Sequence, residues 1–246
     1  MSILRLFENI HIIDSYKERV SSFSSEIDAL FAMIMIVVGF WFILTEGMFF
    51  WLIFRYRARP GVPAQYITGK EKNLKRWVSI PHLLIILCDV FVIFFAVQVW
   101  YNVKQYTPEE EYNMEIDIIA QQWAWTFVHP GPDNILEDIA ETKDIDESAD
   151  NIITIDELTI ETDRLVYFNL KSNDVLHDFS VPVFRLKQDA IPGRVIRGWF
   201  KATKTGDYDI QCAEMCGIGH GIMGAKLHIK SKEDHEAWIK KQSKKQ

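Results

Sequence analysis

Residues 212–223 read Cys-Ala-Glu-Met-Cys-Gly-Ile-Gly-His-Gly-Ile-Met. Two thiols, an imidazole and a thioether fall within this short stretch, and Gly217, Gly219, Gly221 and Gly224 let the backbone bend around them. Soft sulfur combined with imidazole suits copper, whereas magnesium and calcium take oxygen ligands. A mononuclear blue-copper centre uses one thiolate, two imidazoles and a weak axial ligand. Here a second thiolate stands four residues before the other, and two thiolates can each bridge two copper ions. Two other readings stay open: a Cys212–Cys216 disulfide on an oxidising face, and a zinc site completed by His220 and His177. Zinc makes no use of Met223, so the arrangement favours copper. Covalent haem is excluded, because the pair is C-x-x-x-C and no His follows it directly.

A copper pair needs one imidazole per ion. His220 supplies one from the same stretch, and His177, in Asp174-Val-Leu-His-Asp-Phe, is the candidate for the other because it lies among apolar strand-like residues. His129, His228 and His235 fall in a Pro/Gly turn, a late strand and a charged tail, and read as ordinary structural or surface histidines. Strand-like runs recur around these positions, at Ile116–Ile119, Ile152–Ile155, Arg164–Leu170, Arg194–Phe200, Gly206–Gln211 and Ala225–Ile229. Their spacing is that of an all-β sandwich or barrel. Asp133–Asp150 is acid-rich and reads as a solvated excursion between strands.

Upstream the pattern is different. Ala29–Phe54 is apolar except for Thr45 and Glu46, and Ile80–Tyr101 is a second such run containing Pro81, His82 and Asp89. Each is long enough to cross a ~30 Å hydrocarbon core. Both are apolar all round, unlike amphipathic helices packed on a soluble core. The segment between them holds Arg55, Arg57, Arg59, Lys70, Lys72, Lys75 and Arg76 against Glu71 alone, which places it on the cytoplasmic or matrix side. Cys88 lies inside the second run as a small buried hydrophobe. Residues 1–28 lack the features of a cleaved signal peptide and read as a short interfacial helix. The expected organisation is thus an N-terminal segment 1–28, a transmembrane hairpin 29–101 with helices near 29–54 and 80–101, a β domain 102–230, and a charged tail 231–246 ending in a short helix.

Charge divides along the same lines. Residues 101–246 hold 17 Lys/Arg against 26 Asp/Glu, so the β domain is acidic and favours a basic partner over nucleic acid or anionic lipid. No basic patch with interleaved aromatics is present, which argues against nucleic-acid binding.

The pattern C-x-E-x-C-G-x-x-H-x-x-M at 212–223 resembles the CuA signature of the cytochrome c oxidase subunit II family, with every specified position filled. The likeness extends to the two-helix anchor, Gln122-Trp-Ala-Trp-Thr-Phe127, Asp174-Val-Leu-His177 and Lys187-Gln-Asp-Ala-Ile-Pro-Gly-Arg194. It implies a cupredoxin-like Greek-key barrel behind an N-terminal two-helix transmembrane hairpin. It implies one copper on Cys212, Cys216, His177 and Met223, and another on Cys212, Cys216, His220 and the Glu214 carbonyl. The Glu214 carboxylate would meet a magnesium or manganese ion at the boundary with subunit I. Trp123 matches the surface tryptophan through which cytochrome c hands over its electron, whereas Trp125 reads as core. Lys187 and Asp189 match a loop beside the subunit I boundary, where a plain salt link serves equally well.

The implied partners are oxidase subunits I and III, the membrane, and cytochrome c or a cytochrome c domain. The chain departs from the family pattern at Gln121 (usually His) and Ala124 (usually Tyr), which leaves room for a quinol-oxidising complex as donor. It departs again at Leu74, where a Glu usually precedes Trp77 and Pro81; Glu71, a helical turn away, reads equally as a substitute or as a surface acid. Two rivals are a structural subunit II of a quinol oxidase, whose members lose the copper ligands, and a nitrous oxide reductase-like enzyme, which is larger and soluble. The acidic excursion and the altered approach to the second helix favour a bacterial inner membrane, with the copper domain on the periplasmic side. Glu46 and Asp89, as acids inside membrane runs, invite pairing with subunit I or with each other, or a role in proton movement.

Overall fold

The computed structural model describes residues 3–7, 18–63, 68, 70–137 and 150–244. The chain divides into two compact units, Met1–Ile12 with Glu26–Asn102, and Ile13–Ser25 with Val103–Gln246.

The first unit is built on two helices, α1 (Ser24–Arg55) and α2 (Lys72–Trp100). Both are long and apolar enough to cross a membrane, and most of their apolar side chains are exposed rather than packed in a core. They start earlier than hydropathy indicates. Ser24 opens α1 with its hydroxyl donating to the Ser21 carbonyl at 2.8 Å. α2 begins with Lys72-Asn-Leu-Lys-Arg, polar residues that a helix accommodates but a hydropathy window overlooks. Pro81 consequently lies inside α2 rather than at its start. Glu71 precedes the helix without capping it; its carboxylate accepts from the Thr68 hydroxyl at 2.8 Å. Cys88 is half-buried, not buried, and accepts from the Trp41 indole at 3.3 Å, so one point of the α1–α2 contact is polar.

The second unit holds ten strands: β1 (Asn113–Gln121), β2 (Ala124–His129), β3 (Ile152–Ile155), β4 (Glu157–Glu161), β5 (Leu165–Ser172), β6 (His177–Val181), β7 (Leu186–Ala190), β8 (Ile196–Lys201), β9 (Gly206–Cys212) and β10 (Gly224–Lys230). They form two five-stranded sheets, ordered β3-β2-β1-β5-β8 and β4-β10-β9-β6-β7. Parallel pairs β1–β5 and β4–β10 sit among antiparallel neighbours, the crossing connections expected of a cupredoxin-like Greek-key domain. The core lies between the sheets. Phe179 of β6 meets Trp125 of β2 at 5.5 Å and Phe168 of β5 at 6.1 Å, and Phe184 meets Phe200 at 5.1 Å. All five are essentially inaccessible to solvent. β2, β4, β6 and β7 escape the sequence reading: β4 and β6 are buried at nearly every position and so do not alternate, and β7 is apolar only at its two ends, Leu186 and Ala190.

Two terminal segments differ from a simple reading of their composition. Residues 3–6 form a single 3₁₀ turn, and the rest of the expected interfacial helix falls partly on residues 8–17, outside those described. Residues 20–22 are extended instead. The Val20 amide donates to the Val183 carbonyl at 3.1 Å, the Ser22 amide to Lys201 at 3.0 Å, and the Thr203 amide back to Val20 at 2.7 Å. The free edge of β8 attracts this segment because its backbone groups need partners. The centre of the acidic excursion, residues 138–149, also lies outside the described residues.

At the other end, α3 (Lys232–Gln242) is N-capped by the Ser231 hydroxyl, which accepts from the Asp234 amide at 3.2 Å. α3 buries His235, and Trp238 stacks on His235 and lies edge-on to His129 of β2 at 5.0 Å. Burial, then the nearby His235, brings the His129 pKa down to about 3. Burial, then Arg164, brings His235 down to about 4. Both rings are therefore neutral when folded and take up protons on unfolding. Their contribution is complete above pH ~6.5, the ordinary histidine value, and is lost as pH falls towards 4. Between pH 7 and 5 each should cost about 2 kcal/mol of stability. Thermal unfolding of the metal-free β domain should show this acid loss, reduced by about that amount in a His235→Gln variant.

Candidate metal centre

β6 and β9 are adjacent antiparallel strands in which Phe179 lies opposite Cys212. The Ala213 amide extends the ladder to the Asp178 carbonyl at 3.1 Å. This pairing sets His177, the first residue of β6, beside Cys212, the last of β9. Asp174–Leu176 is not strand, as its apolar flank suggests, but a bend that leads into β6. The segment between β9 and β10 closes on itself through the Cys212 amide donating to the Met223 carbonyl at 3.0 Å. Gly217, at φ +123°, and a 3₁₀ turn at His220–Ile222 fold its middle back over the sulfurs.

The donor atoms converge on the two cysteines. Their Sγ atoms are 3.7 Å apart, and both thiols are free. That separation is far beyond the ~2.05 Å of a disulfide. His177 Nδ1 is 3.9 Å and the Glu214 carbonyl oxygen 3.3 Å from Cys212 Sγ. His220 Nδ1 and Met223 Sδ are each 3.7 Å from Cys216 Sγ. His177, Cys212 and Cys216 are buried and hold their ligand atoms within 4.8 Å of one another. All six sequence-derived positions thus meet in one place. His228 lies elsewhere, bonded to Asp207 at 2.6 Å, and His129 and His235 belong to the α3 contact. The donor set fits copper: soft sulfur, two imidazoles, and a thioether drawn in from solvent. Burial, then the neighbouring Cys212 thiol, pushes Cys216 up to about 11. Without a cation Cys216 keeps its proton, and a bound metal would displace it.

Residues around the ligands fix their orientation. His177 is wholly buried, and its Nε2 donates to Asp174 Oδ1 at 2.8 Å, which leaves Nδ1 free to face the sulfurs. Asp174 also accepts from the Val175 and Gln122 amides, each at 2.6 Å. Partial burial raises its carboxyl, but the bonds from His177 and these amides outweigh it and hold the pKa below the usual carboxylate value. Gln122 additionally donates through Nε2 to the Cys216 carbonyl at 2.7 Å. The Trp123 ring lies against the backbone of the same loop. A Cβ added at Gly219 would stand 2.6 Å from its Cγ, and one at Gly217 3.3 Å from its Nε1. Trp123 remains 38% exposed, whereas Trp125 is fully buried and sits edge-on to His177. Met215, Ile218 and Ile222 project from the loop at 72%, 96% and 86% exposure, an apolar cluster of the kind that meets a partner.

Neither Asp174 nor Gln122 is singled out as a positioning residue by the sequence alone. The D-x-x-H spacing was the available signal for the first, and none marked the second. Asp178, opposite Asp189 across β6–β7, was also missed. Burial, then the Asp189 charge, raises its carboxyl to about 6, with Lys187 and Lys104 opposing. Lys104 reaches the same strand, donating to the Lys187 carbonyl at 2.9 Å and to Gln188 at 3.0 Å.

Replacing Asp174 by Ala leaves a buried imidazole N–H unpaired. Copper affinity of the β domain should fall ~10–100-fold, and unfolding should cost about 1–3 kcal/mol less. Competitive copper titration and thermal melts of the variant check both.

Known proteins place this arrangement. The family model for cytochrome c oxidase subunit II, periplasmic domain, matches residues 114–229. An alternative cytochrome c oxidase subunit 2 from Bradyrhizobium diazoefficiens is 31% identical over 222 residues, covering 83% of this chain and 78% of the relative. A probable cytochrome c oxidase subunit 2 from Rickettsia prowazekii is 28% identical over 201 residues, 80% of this chain and 62% of that one. The crystal structure of the periplasmic domain of subunit II of cytochrome oxidase from Bradyrhizobium japonicum aligns over 57% of this chain and 99% of its own, with a TM-score of 0.46 and 25% identity. On the identity and coverage shared with the first relative, the chain belongs to the cytochrome c oxidase subunit II family, as a membrane-anchored member with a periplasmic domain.

Proposed function

We propose that this chain is the electron-accepting subunit of a haem-copper oxidase, taking single electrons from cytochrome c and passing them to the haem of subunit I. The convergence of six donor positions on two unbonded, buried sulfurs carries this reading. Cys212 and Cys216 would hold two copper ions between them, with His177 and Met223 available to one and His220 and the Glu214 carbonyl to the other. A copper pair supplies a one-electron acceptor whose charge is spread over two ions and two sulfurs. The chain's task is to hold that geometry still. Asp174 fixes the His177 tautomer, Gln122 braces the loop at Cys216, and β6–β9 pairing sets the spacing. Trp123 offers the donor a flat, half-exposed ring resting on the metal loop, and the acidic domain favours a basic donor. The Glu214 carboxylate would be the ligand for a magnesium or manganese ion at the boundary with subunit I, the partner that would carry out oxygen reduction and proton translocation. Subunit III completes the assembly, in a bacterial inner membrane.

Copper-loaded β domain should contain two copper ions per chain and give a seven-line EPR spectrum. One copper, zinc alone, or a metal-free Cys212–Cys216 disulfide would sink the proposal. Gly219→Ala tests the donor contact, because an added Cβ would stand 2.6 Å from Trp123 Cγ and force the ring and the loop apart. It should retain the EPR signal and slow electron uptake from reduced cytochrome c by about tenfold or more, a barrier increase of ~1.4 kcal/mol; an unchanged rate removes Trp123 from the path.

A further inference from the structure

Asp89 stands near the middle of the apolar run Ile80–Tyr101, nine residues from its start and twelve from its end. At ~1.5 Å per residue that places it within a few ångströms of the midplane of a ~30 Å hydrocarbon core. It is exposed on the helix surface. The α1-facing side of α2 is defined by Cys88, which holds the Trp41 indole, and is continued by the buried Phe95 and Val99. Asp89 points about 100° away from that face. His82, also exposed, and Lys75 lie seven and fourteen residues earlier, within ~20° per heptad of the same direction. α2 therefore carries an outward ionisable stripe that α1 leaves uncovered.

Pairing between the two intramembrane acids is ruled out by register. The Trp41–Cys88 contact makes Glu46 level with Leu83 in an antiparallel hairpin, ~9 Å along the axis from Asp89. The residue level with Asp89 on α1 is Phe40, which is apolar. His82 is ~10 Å away along α2, too far for direct proton exchange. A lone carboxylate facing hydrocarbon is costly, and such groups face a bundle interior and pair there.

We infer that Asp89 is a docking residue: it receives a cationic side chain, arginine or lysine, presented at mid-bilayer depth by a transmembrane helix of a partner subunit lying along the His82–Asp89 stripe. This rests on the reading of the chain as an oxidase subunit but not on its copper chemistry. The test uses the whole complex, purified in mild detergent through an affinity tag on this chain, with haem per chain read from absorbance. Asp89→Leu makes α2 more apolar, so the variant still spans the membrane, and immunoblots of membranes should show normal levels. Haem per chain should drop at least fivefold in Asp89→Leu and in Asp89→Asn, which leaves the partner's cation unpaired, and should be restored in Asp89→Glu. Wild-type haem retention in the Leu variant overturns the inference. Loss in Leu with full retention in Asn overturns the cationic partner. Full retention with abolished proton pumping in vesicles reassigns Asp89 to proton transfer and overturns it as well. A preparation with normal haem but no copper EPR signal would instead defeat the electron-accepting reading and leave this one standing.

Discussion

Two buried sulfur atoms lie 3.7 Å apart, with no covalent bond between them. Keeping them so requires that neither strand end can move independently. The ladder between β6 and β9 stops at Cys212 and Asp178, and the loop is pinned at its neck by the Cys212–Met223 backbone bond. Any slip of one residue in this register would turn His177 to the opposite face and carry it away from Cys212. The aromatic core behind the site resists such a slip, because Phe179 is locked among Trp125, Phe127 and Phe168. The packing of the domain is thus what gives the ligands their spacing.

The same economy governs the outer side of the loop. Gln122 and Trp123, at the turn between β1 and β2, bring a hydrogen bond and a ring to residues 216–219. Asp174, from a third segment, touches the Gln122 amide and the His177 ring together. The Asp174 carboxylate thus joins the β1–β2 turn to the start of β6, and the Gln122 side chain carries the link on to Cys216. By accepting from His177 Nε2 the carboxylate also orients the ring, so that Nδ1 faces Cys212.

Much of this was legible in the amino-acid order. The ligand pattern at 212–223 is local, so its spacing alone exposed the chemistry, and the two membrane helices announced themselves by length and uniform apolarity. What stayed hidden depends on contacts between distant segments. β4 and β6 are buried at nearly every position, Glu161 and Asp178 included, so neither shows the alternation of a one-sided strand, and β7 is apolar only at Leu186 and Ala190. Residues 20–22 look like the approach to a helix, yet they complete an edge of β8 whose need for partners no local window reveals. The early start of α2 at Lys72 escaped because hydropathy registers apolarity and not helix compatibility. Asp174 was visible as an acid but not as the partner of His177, since its surroundings come from β1 and the bend before β6.

The backbone bonds of residues 20–22 with Lys201 and Thr203 have a consequence for synthesis. Residues 20–22 precede both membrane helices and wait for partners made some 180 residues later, after most of the β domain. Long-range closures of this kind are slow and come late. A product that stops before residue 201 lacks these partners, so it is residues 20–22, and not the β8 edge, that stay uncovered until β8 is made.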